Sequence, residues 1–274
     1  MSSYRICSLY SGSSGNAMLL VTPRAKILID AGKTARALTD ALSRVGVSPD
    51  ELDAIVITHD HRDHVGALPV FLKRHDVPVH IVKASAQALT FGEEGQLWQS
   101  RLCEHPPIYQ VTVGDVRVQS FPTPHDSSYS VGYRLEIDDG NGHLHPIGYA
   151  TDVGYVSDDV RAGLLGCECV VLESNHDRDM LLTGPYPAAL KERILSRYGH
   201  LSNEDCAALA AELFMHGTQH FLLAHLSEHN NTPALAYHET LMALGEDVQL
   251  AVASPDETVE LCVTMTDGKE EGAC

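Results

Sequence analysis

Residues 58–65 read Thr58-His59-Asp60-His61-Arg62-Asp63-His64-Val65 and directly follow the apolar run Ala54-Ile55-Val56-Ile57. Four ligand-type side chains, His59, His61, Asp63 and His64, thus fall within six positions at the end of a short strand. Imidazole nitrogens and carboxylate oxygens bind zinc and similar divalent ions, and a strand end followed by a tight loop can aim alternate side chains at neighbouring ions. One ion cannot use all four comfortably, whereas two ions sharing a bridging carboxylate can. Such pairs attack esters, amides and phosphodiesters with a hydroxide made on the metal. The competing reading is a polar loop that is His-rich by coincidence, in a chain that contains 16 His.

Length and composition leave room for such an enzyme. A chain of 274 residues, 44% hydrophobic and 20% charged, can bury a large core as one layered α/β domain or two closely fused halves. No apolar run approaches the roughly 18 residues that cross a membrane. Met1-Ser2-Ser3-Tyr4-Arg5 leads into a strand rather than a signal segment, so a cytoplasmic location is expected. Seven Cys at irregular spacings fit reduced thiols better than a disulfide framework, and Cys167 and Cys169 are expected to flank a strand. The net charge of -18, with 19 Lys and Arg against 37 acids, resists a nucleic-acid reading. A local basic patch could offset it, with Lys33, Arg36, Arg62, Lys191, Arg193 and Arg197 as candidates.

The hydrophobic pattern runs from strands to alternation, twice over. Strands are expected at 5–10, 17–21 and 26–29, then a helix at 34–45, a strand at 54–57, a helix at 65–74 and a strand at 79–82. Residues 84–110 carry no readable period. Strands at 111–121, 129–137 and 145–150 follow, then a helix at 158–165 and a strand at 168–172. The C-terminal part alternates helices at 187–198, 203–215 and 233–244 with strands at 219–224, 248–253 and 258–264. With no linker or short repeat, the two halves are expected to pack face to face as a single α/β domain over residues 1–265, leaving 266–274 as a disordered tail.

The His-rich loop needs partners, and three other strand ends supply them. His125 follows Phe121-Pro122-Thr123-Pro124, Asp152 follows Ile147-Gly148-Tyr149-Ala150-Thr151, and His225 follows Phe221-Leu222-Leu223-Ala224. Any one of them alone reads as a satisfied structural residue. Together with the loop they complete two sites of three ligands and a shared carboxylate.

Asp30, His59-x-His61-x-Asp63-His64, His125, Asp152 and His225 resemble, in order, the five motifs of the metallo-β-lactamase-fold metallohydrolases. The resemblance implies a four-layer αββα sandwich. It implies that His59, His61 and His125 hold one divalent ion, that Asp63, His64 and His225 hold a second, that Asp152 bridges them and that Asp30 supports the loop. Two divalent ions with Asp63, Asp152 and a hydroxide leave about one net positive charge, which suits an anionic substrate. Seven nitrogen and oxygen ligands without Cys suit zinc, with manganese or iron as alternatives.

Around the third motif the chain reads Thr123-Pro124-His125-Asp126-Ser127, then Val131-Gly132-Tyr133-Arg134, which resembles the phosphodiesterase branch that includes RNase Z rather than glyoxalase II and the lactonases. Glu173 and His200 match that branch's proton-shuttle pair. Five blocks resemble the bacterial YycJ/WalJ group: Ser11-Gly12-Ser13-Ser14-Gly15-Asn16, Thr151 to Ser157, Glu173 to Asp177, Gly199 to Asp205, and His225-Leu226-Ser227 with Asn230-Asn231. The resemblance implies a 5′-to-3′ DNA exonuclease-like phosphodiesterase, with DNA as partner, Asp63, Asp152, Glu173 and His200 in the chemistry, and no membrane association. The stretch between Asp152 and His225 is too short for the inserted domain of β-CASP nucleases. A small-molecule hydrolase of the same fold, acting on a thioester, lactone or cyclic phosphate, is the first alternative. A metal-stabilised binding protein without turnover is the second. His176, His216, His220 and His238 lie outside the motifs and are not expected to be ligands.

Overall fold

The structure is a computed structural model and describes residues 2–89 and 98–265; the expected tail at 266–274 lies outside them. The first half gives strands β1 (Ser3–Tyr10), β2 (Ala17–Val21) and β3 (Lys26–Ile29), and helix α1 (Ala35–Arg44), which Thr34 caps by accepting from the Ala37 amide. It continues with β4 (Ala54–Val56), α2 (Arg62–Val65), α3 (Leu68–Phe71), β5 (Val79–Val82), α4 (Lys83–Leu89) and β6 (Leu102–His105). The second half holds β7 (Gln110–Val113), β8 (Val116–Pro122), β9 (Val131–Asp138), β10 (Leu144–Ala150), α5 (Asp158–Leu164) and β11 (Cys169–Glu173). After these come α6 (Arg178–Thr183), α7 (Ala188–Ile194), α8 (Asn203–Met215), β12 (His220–Ala224), α9 (Pro233–Leu244), β13 (Gln249–Val252) and β14 (Val259–Thr264).

The strands form two seven-stranded sheets, ordered β14-β1-β2-β3-β4-β5-β6 and β13-β12-β11-β10-β9-β8-β7. Each has an antiparallel portion that turns parallel, at β3–β4 in the first and at β10–β11 in the second. Side-chain alternation divides the core into three layers. Met18, Leu20, Ile27 and Ile29 face Tyr133, Leu135, Ile147 and Val171 between the sheets. Leu19 and Leu28 point the other way, onto Leu38 and Leu42 of α1. On the outer face of the second sheet, Val170, Leu172 and Phe221 pack against Leu164, Leu209 and Leu213 from α5 and α8. The arrangement is the expected αββα sandwich.

Several boundaries differ from the pattern reading, each for a local reason. The helix expected at 65–74 is two single turns: α2 starts earlier, at Arg62, and Gly66 and Ala67 separate it from α3, which carries Pro69 in its first turn. Residues 111–121 are a hairpin, β7 to β8, turning at Gly114 with φ of 58°. Helix α7 stops at Ile194, and α6, capped by the Asp177 side chain, has too few residues to display a period. Cys169 opens β11 and Cys167 lies just before it, and Cys7, Cys103, Cys167, Cys169, Cys206 and Cys262 are all free thiols. None of the described helices is long and apolar enough to cross a membrane.

Candidate metal centre

The polar residues that close the strands meet at one edge of the sandwich, at the carboxyl ends of the parallel strands, where open α/β sheets place their ligands. Asp30 follows β3, the His59–His64 stretch follows β4, His125 follows β8, Asp152 follows β10, Glu173 ends β11 and His225 follows β12. Among the described residues four non-glycines have positive φ: Asp30 at 63°, Lys33 at 55°, Asp152 at 56° and His225 at 59°. Each conformation costs on the order of 1 kcal/mol or more. Three of the four are predicted site residues, so the strain falls where the chain turns sharply to aim a side chain inward.

The side chains form two triads around Asp152. The ligand atoms of His59, His61 and His125 lie within 4.8 Å of one another, as do those of Asp63, His64 and His225. Asp152 Oδ1 is 3.5 Å from His125 Nε2 and 3.7 Å from His225 Nε2, while Oδ2 is 3.2 Å from His64 Nε2. It therefore stands between the two triads. His59 Nε2, His225 Nε2 and Asp152 Oδ2 are buried without a hydrogen-bond partner. Buried polar atoms are rarely left so, and these three face a common centre built from nitrogen and oxygen donors. That donor set fits divalent metal ions.

Each inward nitrogen is fixed by the partner of the other ring nitrogen, the usual device for orienting ligand imidazoles. His64 Nδ1 is 2.8 Å from Asp30 Oδ2, and the other Asp30 oxygen accepts from the Thr58 amide at 2.8 Å. His59 Nδ1 is 3.0 Å from Thr58 Oγ1, and His61 Nε2 is 3.2 Å from the Asp126 carbonyl. His125 Nδ1 lies 3.1 Å from the Gly199 carbonyl. His225 Nδ1 is 2.8 Å from Glu173 Oε1, and the same oxygen is 2.9 Å from His200 Nδ1. Glu173 Oε2 accepts from the Val153 and Leu201 amides, so the buried carboxylate is fully engaged.

Electrostatics follow from packing this many ionisable groups under cover. Burial and the neighbouring His64 push His59 well below the usual imidazole range, and burial likewise lowers His125. Both are thereby neutral, the ligand form. Burial opposes protonation of His225, but Asp152, Asp63 and Glu173 outweigh it and raise its pKa to about 10. His64 is raised in the same way by Asp152, Asp30 and Asp63. Glu173 resists its burial and falls to about 2, because His200 and His225 hold its charge. The site is an excess of buried carboxylate that calls for positive charge, which divalent cations supply.

All the residues singled out as ligands come together here, with Glu173 and His200 at the edge, where the His200 side chain is 19% exposed. His176, His216, His220 and His238 belong to none of the ligand groups. The pattern reading did not assign roles to Asn16 and Ser11. Asn16 Nδ2 is 3.1 Å from His64 Nε2 and 3.4 Å from Asp63 Oδ2, and Ser11 Oγ accepts from the His225 amide at 2.8 Å. Both lie in the Ser11–Asn16 block, whose run of small polar residues was the available signal. Of the basic candidates, Arg193 pairs with Asp126, Lys33 with Asp256, and Arg197 stacks on Tyr155 at 4.0 Å.

A family model described as the beta-lactamase superfamily domain matches residues 25–226. The chain is 33% identical over 270 residues to the exodeoxyribonuclease WalJ of Streptococcus pneumoniae, covering 94% of this chain and 97% of that one. It is 34% identical over 242 residues to the exodeoxyribonuclease YycJ of Bacillus anthracis, covering 87% and 88%. The fold is similar to that of the metallo-beta-lactamase fold protein YhfI of Bacillus subtilis, with a TM-score of 0.67 at 19% identity over 94% of this chain and 99% of that one. A family match over most of the sequence, near full-length relatives and the shared sandwich together place this chain in the metallo-β-lactamase-fold branch of the beta-lactamase superfamily.

Proposed function

We propose that this protein is a dinuclear metal-dependent phosphodiesterase that removes nucleotides from DNA ends in the 5′-to-3′ direction, working in the cytoplasm as one domain over residues 1–265. In this reading His59, His61 and His125 hold one ion, Asp63, His64 and His225 the other, and Asp152 both. Zinc is the first choice of metal. When bound, the ions would supply Lewis acidity and a nucleophilic water of lowered pKa. The chain's own residues do the rest. Glu173 accepts the Nδ1–H of His200 and is the counter-ion for the doubly protonated ring, whose Nε2–H would pass its proton to the departing sugar oxygen and leave neutral imidazole. Asp30, Thr58 and Glu173 hold the ligand imidazoles in one tautomer.

The observation that carries this reading is the Glu173–His200 pair, whose imidazole is anchored through Nδ1, 2.9 Å from Glu173 Oε1 and 3.7 Å from Asp152 Oδ1, which leaves Nε2 at the edge of the centre for an alkoxide leaving group. The names of the relatives supply the substrate class. Local chemistry also tempers the acidic net charge: Tyr198 is 61% exposed two residues before His200, beside the cationic Arg197 on Tyr155, a surface on which a base can stack. The test is metal analysis coupled to hydrolysis of single-stranded and double-stranded DNA, with bis-p-nitrophenyl phosphate and a thioester as comparators. Cleavage of the thioester with neither phosphodiester touched would replace this reading with that of a small-molecule hydrolase.

A further inference from the structure

A recess of about 330 Å³ opens beside Asp63 and is lined by Ser13, Ser14, Lys33, Thr34, Arg62 and Asp63. Its chemistry is unlike that of the surrounding surface. Arg62 is exposed, and among the described residues its guanidinium has no hydrogen-bond or ion-pair partner. The hydroxyls of Ser13 and Ser14 are exposed and unpartnered in the same way. Thr34, which lines the recess, caps α1, a ten-residue helix with no acidic residue in its first turn, so the positive end of that helix dipole adjoins the recess. The Lys33 ammonium adds charge while bonded to the Pro255 carbonyl and Asp256. Asp63 is the one acid in the lining, and its carboxylate turns inward to His64 and His225, at 3.3 and 3.6 Å. In a chain of net charge -18, this is a pocket of donors and cations.

The recess is also fixed relative to the candidate metal centre. Three loops are stitched together by Asn16 N–H to the Asp63 carbonyl and Gly32 N–H to the Asn16 carbonyl, both at 2.8 Å. A Cβ on Gly15 would lie 2.8 Å from Lys33 N, and one on Gly32 would collide with the Asp63 carbonyl, so the loops approach this closely only with glycine at both positions. The recess meets the centre at Asp63, whereas His200 meets it at Asp152 Oδ1. An anion held in the recess is thus distinct from one undergoing hydrolysis beside His200.

We propose that this recess holds a second, non-scissile phosphate of the substrate strand, gripped by Arg62, Ser13, Ser14 and the amino end of α1. The proposal rests on the DNA-phosphodiesterase reading and gives the Ser11–Asn16 block a substrate role beyond supporting ligands. The phosphate is either the strand's 5′-terminal group or the next internal linkage.

The test is binding, read by fluorescence anisotropy on the metal-loaded protein with short phosphorothioate-protected single strands. The three probes carry a 5′-phosphate, a 5′-hydroxyl, or a 5′-phosphate with one neutral methylphosphonate at the second linkage. The wild type should lose about 10-fold in affinity on one of the two neutralisations, which identifies the phosphate. Arg62→Ala and Ser13→Ala/Ser14→Ala should erase that difference, and Arg62→Ala should lower the salt slope by about 0.7. Arg74→Ala, an exposed arginine elsewhere, should retain both. Wild-type affinity indifferent to both neutralisations, or full discrimination surviving in Arg62→Ala, overturns the proposal. Hydrolysis of unprotected DNA is scored separately and decides the underlying reading, so the two can fail independently.

Discussion

His200 and His225 share a single oxygen of Glu173, at 2.9 and 2.8 Å from their Nδ1 atoms, so the candidate proton donor and a candidate metal ligand are oriented by the same buried carboxylate. Donor position and metal geometry are therefore coupled through one side chain. Glu173→Gln keeps the shape but can accept through only one oxygen, and either orientation places an N–H against an imidazole or against the Val153 and Leu201 amides. It should lower turnover about 10²-fold or more and weaken metal binding about 10- to 100-fold, the range for removing a partner behind a ligand. Titration with a chelator, read alongside the rate, checks both; an unchanged metal affinity would restrict Glu173 to His200.

The proposed bridging role of Asp152 and the proposed ligand role of His61 make a simpler claim. Asp152→Ala or His61→Ala should abolish activity and lower bound metal, while far-ultraviolet circular dichroism stays unchanged, because the three apolar layers lie away from the centre. Full turnover with unchanged metal stoichiometry in either variant would sink the ligand assignment.

The sequence displayed most of this centre because each of Asp30, His125, Asp152 and His225 is a polar residue that closes an apolar strand, a contrast visible without any fold. What it did not display is long-range. The link from Glu173 to His225 arises from the parallel register that sets Glu173 opposite Ala224, and no local pattern encodes a register. Strand β6 carries Cys103, Glu104 and His105 with no alternation and is a strand through its pairing with β5. Helix α2 begins at Arg62 because its first turn serves the centre, placing Asp63 and His64 on it, whereas the apolar period only starts at Val65.

His176 offers a test of electrostatics away from the ligand set. It is buried, neither ring nitrogen has a hydrogen-bond partner, and burial lowers its pKa to about 4 against an unfolded value of 6.5. The unfolded chain therefore binds the proton first, so the contribution of neutral His176 is complete above about pH 6.5 and is lost as pH falls toward 4. His176→Phe should flatten this part of the stability curve, by roughly 3 kcal/mol between pH 7 and pH 4 relative to wild type. Denaturant titrations at several pH values supply the comparison, and parallel curves for the two proteins would contradict the shift. An anomalous-scattering map showing metal on His176 would overturn its exclusion from the ligands.

For His200 the structural and chemical roles diverge most. It precedes Ser202, which caps α8 by accepting from the Asp205 amide, so one role for His200 is simply to lead the chain into that cap. In that case His200→Ala costs a little stability and leaves turnover nearly intact. As the proton donor its loss should cut the rate roughly 10²- to 10⁴-fold with both metals retained. Leaving groups provide the sharper discrimination. A nitrophenolate departs with little need of a proton, whereas a sugar alkoxide needs one, so the defect should be far larger on DNA than on bis-p-nitrophenyl phosphate. Equal defects on both would reduce His200 to holding the phosphate, and no defect on either would leave it only its place before the helix.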